Sequence, residues 1–117
     1  MVIGIVGTRR RDSSGDYDLV EQAFLQVYKL GDEIVSGGCH SGADRFAEMI
    51  ARRFDIPITI YYADWIHKGS SAGFQRNSLI ARDADILIAC ASSDRIGGTE
   101  DTIRKFQKAG KTQLVLV

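Results

Sequence analysis

Short apolar runs alternate with amphipathic stripes along the whole chain. Val2 to Val6, Glu33 to Val35, Ile58 to Tyr62, Ala84 to Ala91 and Leu114 to Val117 are runs of strand length. The β-branched, apolar character of Val2 to Val6 suits a strand covered on both faces. Between the first two, Leu19, Val20, Ala23, Phe24, Val27 and Leu30 share one helical face, with Gly31 as the stop. After the second, Ala43, Phe46, Ala47, Ile50, Ala51 and Phe54 recur at i, i+3, i+4, i+7, i+8 and i+11, the stripe of an amphipathic helix, and Pro57 bars its continuation. From Ala63 to Ala72 the pattern lapses, which predicts a connection longer than the usual two to six residues of an α/β turn. A polar helix over about Gly73 to Arg82 follows, and a last one opens at Gly97-Gly98-Thr99 and runs through Ile103 and Phe106 to a Gly110 cap.

Strict alternation of strand and helix, joined by right-handed crossovers, predicts an α/β fold with a parallel five-stranded sheet between two helical layers, in the order 3-2-1-4-5. The length of 117 residues predicts one domain, 1–117. In such a sheet the winding reverses between strands 1 and 4, and ligands sit in the crevice at the carboxyl ends of the strands there. The loops after strands 1, 2, 3 and 4 all open onto that edge.

Composition narrows the function classes. With 44% hydrophobic and 26% charged residues, the chain falls at the globular norm; with no apolar run near the ~20 residues of a membrane span and no cleavable leader, it predicts a cytoplasmic protein without a membrane partner. A net charge of zero argues against the broad basic face of a non-specific nucleic-acid binder. Cys39 and Cys90 lack partners at metal-ligand spacing, and His40 and His67 stand far apart, so neither a metal nor a cofactor is implied.

The predicted edge carries the candidate chemistry. Ser36-Gly37-Gly38-Cys39-His40-Ser41-Gly42-Ala43-Asp44 joins a strand to the strongest helix, with glycines that let a ligand approach the backbone and a helix start that offers unpaired N–H groups. It is a phosphate-loop candidate; the plain alternative is a tight turn with Asp44 neutralising the helix dipole. Gly97-Gly98-Thr99 is a second such corner, its alternative being Thr99 as a cap with Glu100 and Asp101 favouring the dipole. Arg9, Arg10, Arg11, Arg76 and Arg95 fall along the same rim and suit a phosphate-bearing ligand. Trp65 is placed either to stack on a base or to cover apolar surface. Cys39-His40 suggests a thiol nucleophile, but adjacent residues in a tight turn seldom face one another.

Together these stretches resemble a known family. Gly4-Ile5-Val6-Gly7-Thr8-Arg9, Ser36-Gly37-Gly38 with Gly42-Ala43-Asp44-Arg45, Trp65 with Gly69, Ala72-Gly73 with Arg76-Asn77, and Gly98-Thr99 with Asp101-Thr102 look like the small YspA/YpsA-related branch of the SLOG superfamily, kin to the Smf/DprA DNA-processing proteins and the LOG phosphoribohydrolases. The resemblance implies a Rossmann-like domain that binds a nucleotide or nucleotide-derived small molecule, and a homodimer formed through apolar helix faces. The ligand-binding set it suggests is Gly7, Thr8, Arg9, Ser36, Gly37, Gly38, Gly42, Asp44, Trp65, Arg76, Asn77, Gly97, Gly98 and Thr99. Phosphate would lie between the Gly37-Gly38 and Gly98-Thr99 turns, with Arg9 and Arg76 as cationic partners, Asp44 or Asn77 at ribose and Trp65 near the base.

The enzyme alternative is N-glycosidic hydrolysis of a nucleoside 5′-monophosphate, with Arg76 fixing phosphate and Glu100 or Asp101 as the working carboxylate. The LOG pattern of Gly-Gly-x-Gly-Thr-x-x-Glu puts its glutamate where this chain has Thr102, and Glu100 and Asp101 leave the helix in other directions, about 100° per residue. Single-stranded DNA binding is a third class, disfavoured by the neutral charge.

Overall fold

The computed structural model describes residues 1–117. Five strands, β1 (Val2–Gly7), β2 (Glu33–Gly37), β3 (Ile58–Tyr61), β4 (Ile86–Cys90) and β5 (Leu114–Leu116), pair in parallel in the order β3-β2-β1-β4-β5. Helices α1 (Ser14–Val27) and α2 (Ala43–Phe54) cover one face, and α4 (Ala72–Asp83) and α5 (Gly98–Lys108) cover the other. A one-turn α3 (Trp65–Lys68) sits between β3 and α4. This is a three-layer, Rossmann-like α/β domain. No helix is long and apolar enough to cross a membrane.

The strand alternation explains why the apolar runs are unbroken. Ile3 and Ile5 of β1 pack with Val20, Phe24, Phe46 and Ile50 on the α1/α2 side, while Val6 packs with Ile80, Ile103 and Phe106 on the α4/α5 side. Successive residues point to opposite layers, so both parities must be apolar. Gly4 and Gly7 are the exceptions. A Cβ at Gly4 would come within 2.9 Å of Ala84 Cβ, and one at Gly7 within 2.7 Å of both Ala43 Cβ and the Cys90 carbonyl oxygen. Each lets a neighbouring element close on the central strand.

One expectation needs correcting. Leu30 does not belong to the first helical stripe: it is 98% exposed, and Leu19 is 46% exposed. The helix ends at Val27, where Tyr28 turns extended with its N–H on the Phe24 carbonyl. The Asp32 carboxylate accepts from the Lys29 N–H at 2.9 Å, and Asp32 N–H closes back on Lys29 O, with Gly31 at φ +96° in the turn. Side-chain capture of the backbone thus replaces the last helical turn. The connection around Ala63 to Ala72 is long, as the lapse in pattern predicts, since β3 ends at Tyr61 and α4 starts at Ala72, and it has order of its own. Asp64 caps α3 through the His67 N–H, and a 3₁₀ turn, Gly69–Ser71, leads straight into α4.

Candidate functional site

The loops after β1, β2 and β4 meet over the carboxyl ends of the central strands. Between them and α4 lies a cavity of about 370 Å³, lined by Gly7, Thr8, Arg9, Arg10, Cys39, Asp44, Arg76, Asn77, Gly97, Gly98 and Thr99, with Val6, Ile80, Ile96 and Thr102 as its less anticipated walls. It stands at the β1/β4 switch point, where the winding reverses.

The two glycine corners prove to be different objects. The second is open. Gly97 adopts φ +121°, a region that L side chains avoid, and no atom lies within 4 Å of where its Cβ would be; for Gly98 the sole neighbour is Asn77 Nδ2 at 3.8 Å. No side chain caps α5, and the amides of Gly98, Thr99 and Glu100 have no acceptor in the protein. Gly98 and Thr99 line the cavity, so unpaired N–H groups and the positive end of a helix border it.

The first corner is already filled. Asp12 accepts the Gly42 N–H at 2.7 Å and pairs with Arg45 at 2.9 Å. Asp44 Oδ2 accepts the Cys39 N–H at 3.2 Å. Gly38 is covered by the Tyr62 ring, and a Cβ at Gly42 would fall 2.5 Å from the Thr8 carbonyl oxygen. Ser36 is fully buried. The glycines of this loop thus serve close internal packing, and Ser36, Gly37, Gly38 and Gly42 do not line the cavity. The phosphate seat pictured between two equivalent corners therefore contracts to one, because carboxylates of the chain itself hold the other.

The arginine rim is likewise thinned by internal pairing. Arg10 makes a two-pronged bond to Asp94 at 3.0 Å, Arg11 pairs with Asp16 at 3.0 Å, and Arg95 pairs with Glu100. Arg9 lines the cavity and its side chain makes neither an ion pair nor a hydrogen bond. Arg76 reaches across the floor: its Nε–H donates to Asn77 Oδ1 at 3.0 Å and Nη1–H to the Tyr61 carbonyl at 3.4 Å. Gly37 makes this possible, since both Arg76 Nη1 and Asp44 Oδ2 come within 3 Å of the place its Cβ would occupy.

Asn77 is a brace. Buried to 7% exposure, it accepts from Arg76 and donates through Nδ2 to the Gly98 carbonyl and to Asp101 Oδ2, both at 3.2 Å, so it ties Arg76 to the start of α5. Its hydrogen-bonding capacity is nearly spent inside the protein. Trp65 lies outside the cavity, 59% exposed, with its ring over Gly73.

Neither carboxylate of the α5 start faces the cavity. Glu100 turns to Arg95; Asp101 turns to Asn77 and to Lys105 Nζ at 2.8 Å. The residue that does face inward is Thr102, its hydroxyl donating to the Gly98 carbonyl at 3.3 Å. Asp44 is the one carboxylate among the lining residues. Burial pushes its carboxyl up from the ordinary value, against the Cys39 N–H and the nearby Arg76 charge. The Ser36 hydroxyl, whose one proton serves both the Ile5 carbonyl and Asp44 Oδ1, and the Gly37 backbone N–H also act to lower it.

The internal counter-ions, Asp12 and Asp94, had no signal in spacing, because each meets its arginine only through the fold. No group of three or more His, Cys, Asp or Glu side chains is placed to hold a metal ion. Comparison with family models, with curated proteins and with solved structures finds no match for this chain.

Proposed function

We propose that this protein binds a phosphorylated nucleotide or nucleotide-derived small molecule in the switch-point cavity, with the phosphoryl group seated on the open start of α5. The observation that carries the reading is the uncapped start of α5, where Gly98 and Thr99 line the cavity with their amides unpaired and Arg9 and Arg76 lie beside it. Preorganised N–H donors plus a helix dipole favour an anion, and two guanidinium groups favour phosphate in particular. Cavity volume is within the range of small-molecule sites. Membership of the SLOG superfamily, in its YspA/YpsA-related branch, is part of this proposal, as is self-association through apolar faces.

Recognition rather than hydrolysis is the better-supported activity. An N-glycosidase of the LOG kind needs a carboxylate at the reacting bond, and the position that faces the cavity carries Thr102 while Glu100 and Asp101 are tied to Arg95 and Lys105. Single-stranded DNA binding is weakly supported, since Asp94, Asp16 and Glu100 neutralise most of the arginine rim.

Titration calorimetry with inorganic phosphate and a panel of nucleoside mono- and diphosphates and dinucleotides tests the reading. Saturable binding of a nucleotide, weakened at least tenfold in an Arg76→Ala protein, is the expected result. Absence of heat from every ligand at millimolar concentration, with a well-folded sample, would defeat it.

A further inference from the structure

The successive arginines of the β1 loop are held to different degrees. Arg11 is anchored: beside its pair with Asp16 it donates to the Ala91 carbonyl at 3.0 Å and to the Val117 carbonyl. Arg10 is held more loosely, since it lines the cavity while both of its terminal nitrogens donate to the Asp94 carboxylate at 3.0 Å, with 60% of the arginine side chain and 45% of the aspartate side chain exposed. That bond links the loop after β1 to the loop after β4 beside the cavity.

Neither loop depends on the pair for its shape. Asp94 Oδ1 also accepts the Ser92 hydroxyl at 2.7 Å and the Ile96 N–H at 3.2 Å, so this oxygen alone ties the turn that carries Ile96 to the cavity wall, whereas Oδ2 has Arg10 as its only protein partner. On the other side, the Arg10 backbone N–H is held by the Thr8 hydroxyl oxygen at 3.3 Å. An exposed ion pair contributes little to stability, and water takes over the released oxygen. The guanidinium is therefore free to change partners.

We infer that Asp94 is a built-in competitor of the ligand: its carboxylate holds Arg10 as a phosphoryl group would, and a bound phosphomonoester draws the guanidinium away from it. The inference rests on the phosphate-binding reading above and adds Arg10 to Arg9 and Arg76 as a cation that closes on the phosphoryl group. Two parallel N–H bonds to a carboxylate have the geometry of the same fork on phosphate. A phosphomonoester dianion brings more charge and a third acceptor oxygen, so it wins the exchange, but against resistance. Affinity is thereby held below what a free Arg10 would give.

Asp94→Asn isolates the competition. Asparagine keeps Oδ1 for Ser92 and Ile96 and sets an NH2 donor where Oδ2 met Arg10, so the turn stays and the pair is lost. Titration calorimetry with adenosine 5′-monophosphate and with inorganic phosphate is run on the native protein, Asp94→Asn, Arg10→Ala and the double variant. Expected is binding of both probes about two- to fivefold tighter by Asp94→Asn than by the native protein, and no tighter by the double variant than by Arg10→Ala alone. In the native protein, the carboxyl-carbon NMR resonance of Asp94 moves on saturation with the nucleotide, a readout that needs no variant. Unchanged or weaker binding by an Asp94→Asn protein with an intact melting transition overturns the competition while phosphate recognition stands, as does an unmoved Asp94 resonance. An equal gain in the Arg10→Ala background also overturns it, because Asp94 is then only a nearby negative charge. Failure of the native and Asp94→Asn proteins to bind either probe removes both readings.

Discussion

Gly98→Ala separates the two functions a glycine can have at the start of α5. Its backbone is helical, so alanine meets no strain there, and the added Cβ would have only Asn77 Nδ2 near it, at an ordinary 3.8 Å. Losing glycine's freedom in the unfolded chain then stabilises the fold by about 0.4–1 kcal/mol, or roughly 2–4 °C in melting temperature. Ligand binding moves the other way. Helical Cβ atoms lean toward the N-terminus, so the methyl group projects beside the amides that hold the phosphoryl group. Displacing one charge-assisted hydrogen bond forfeits about 1.5–3 kcal/mol, which is roughly a 10- to 150-fold weaker dissociation constant. Scanning calorimetry and titration calorimetry on the same preparation read both quantities. A stable Gly98→Ala protein that binds as tightly as its parent would refute the placement of phosphate on α5, and a fall in melting temperature would refute the open geometry of this corner.

Gly37→Ala gives the opposite combination, because its Cβ would displace Arg76 and Asp44; stability drops by about 1–3 kcal/mol and nucleotide affinity falls with it, both measured as above. Asn77→Ala leaves Asp101, the Gly98 carbonyl and the Arg76 Nε–H each one partner short, for an expected loss of about 2–4 kcal/mol in urea unfolding with an unchanged m-value. Acid sensitivity follows two opposed carboxyls. The Arg10 guanidinium and the Ser92 hydroxyl hold the Asp94 carboxyl far below its unfolded value of 3.8, so its contribution is present above that pH and lost as the pH falls; from pH 5 down to pH 2.5 the native protein loses melting temperature faster than Asp94→Asn. Burial raises the Asp44 carboxyl instead, so it costs stability as the pH climbs from 3.8 through its raised native value, and Asp44→Asn gains on the native protein over that climb.

The sheet was legible in the sequence because period and punctuation agreed: continuous apolar runs meant two covered faces, and the α2 stripe left no alternative to a helix. The helix start at Gly97-Gly98-Thr99 was legible from its glycines, but the same signal marks the filled corner at Gly37 to Gly42. What spacing cannot show is which polar groups satisfy one another across the fold. Asp12 and Gly42 are 30 residues apart, and Arg10 and Asp94 are 84 apart, so the closing of one corner and the discharge of the rim are products of tertiary structure alone. Leu30 misled because a hydrophobic residue at the right phase says nothing about where the backbone stops being helical; the Asp32 side chain decides that locally.

The tight backbone approach of Gly42 to Thr8 has a consequence for how this architecture can diversify. Two loops pressed together at that distance tolerate neither insertion nor a larger residue, so this side of the hollow is inherited as a unit. The segment from Asp94 to Ile96 is exposed, and side chains hold it: Arg10 pairs with Asp94 and Arg95 with Glu100. Added residues are therefore easier to accommodate in that exposed segment than between Gly42 and Thr8.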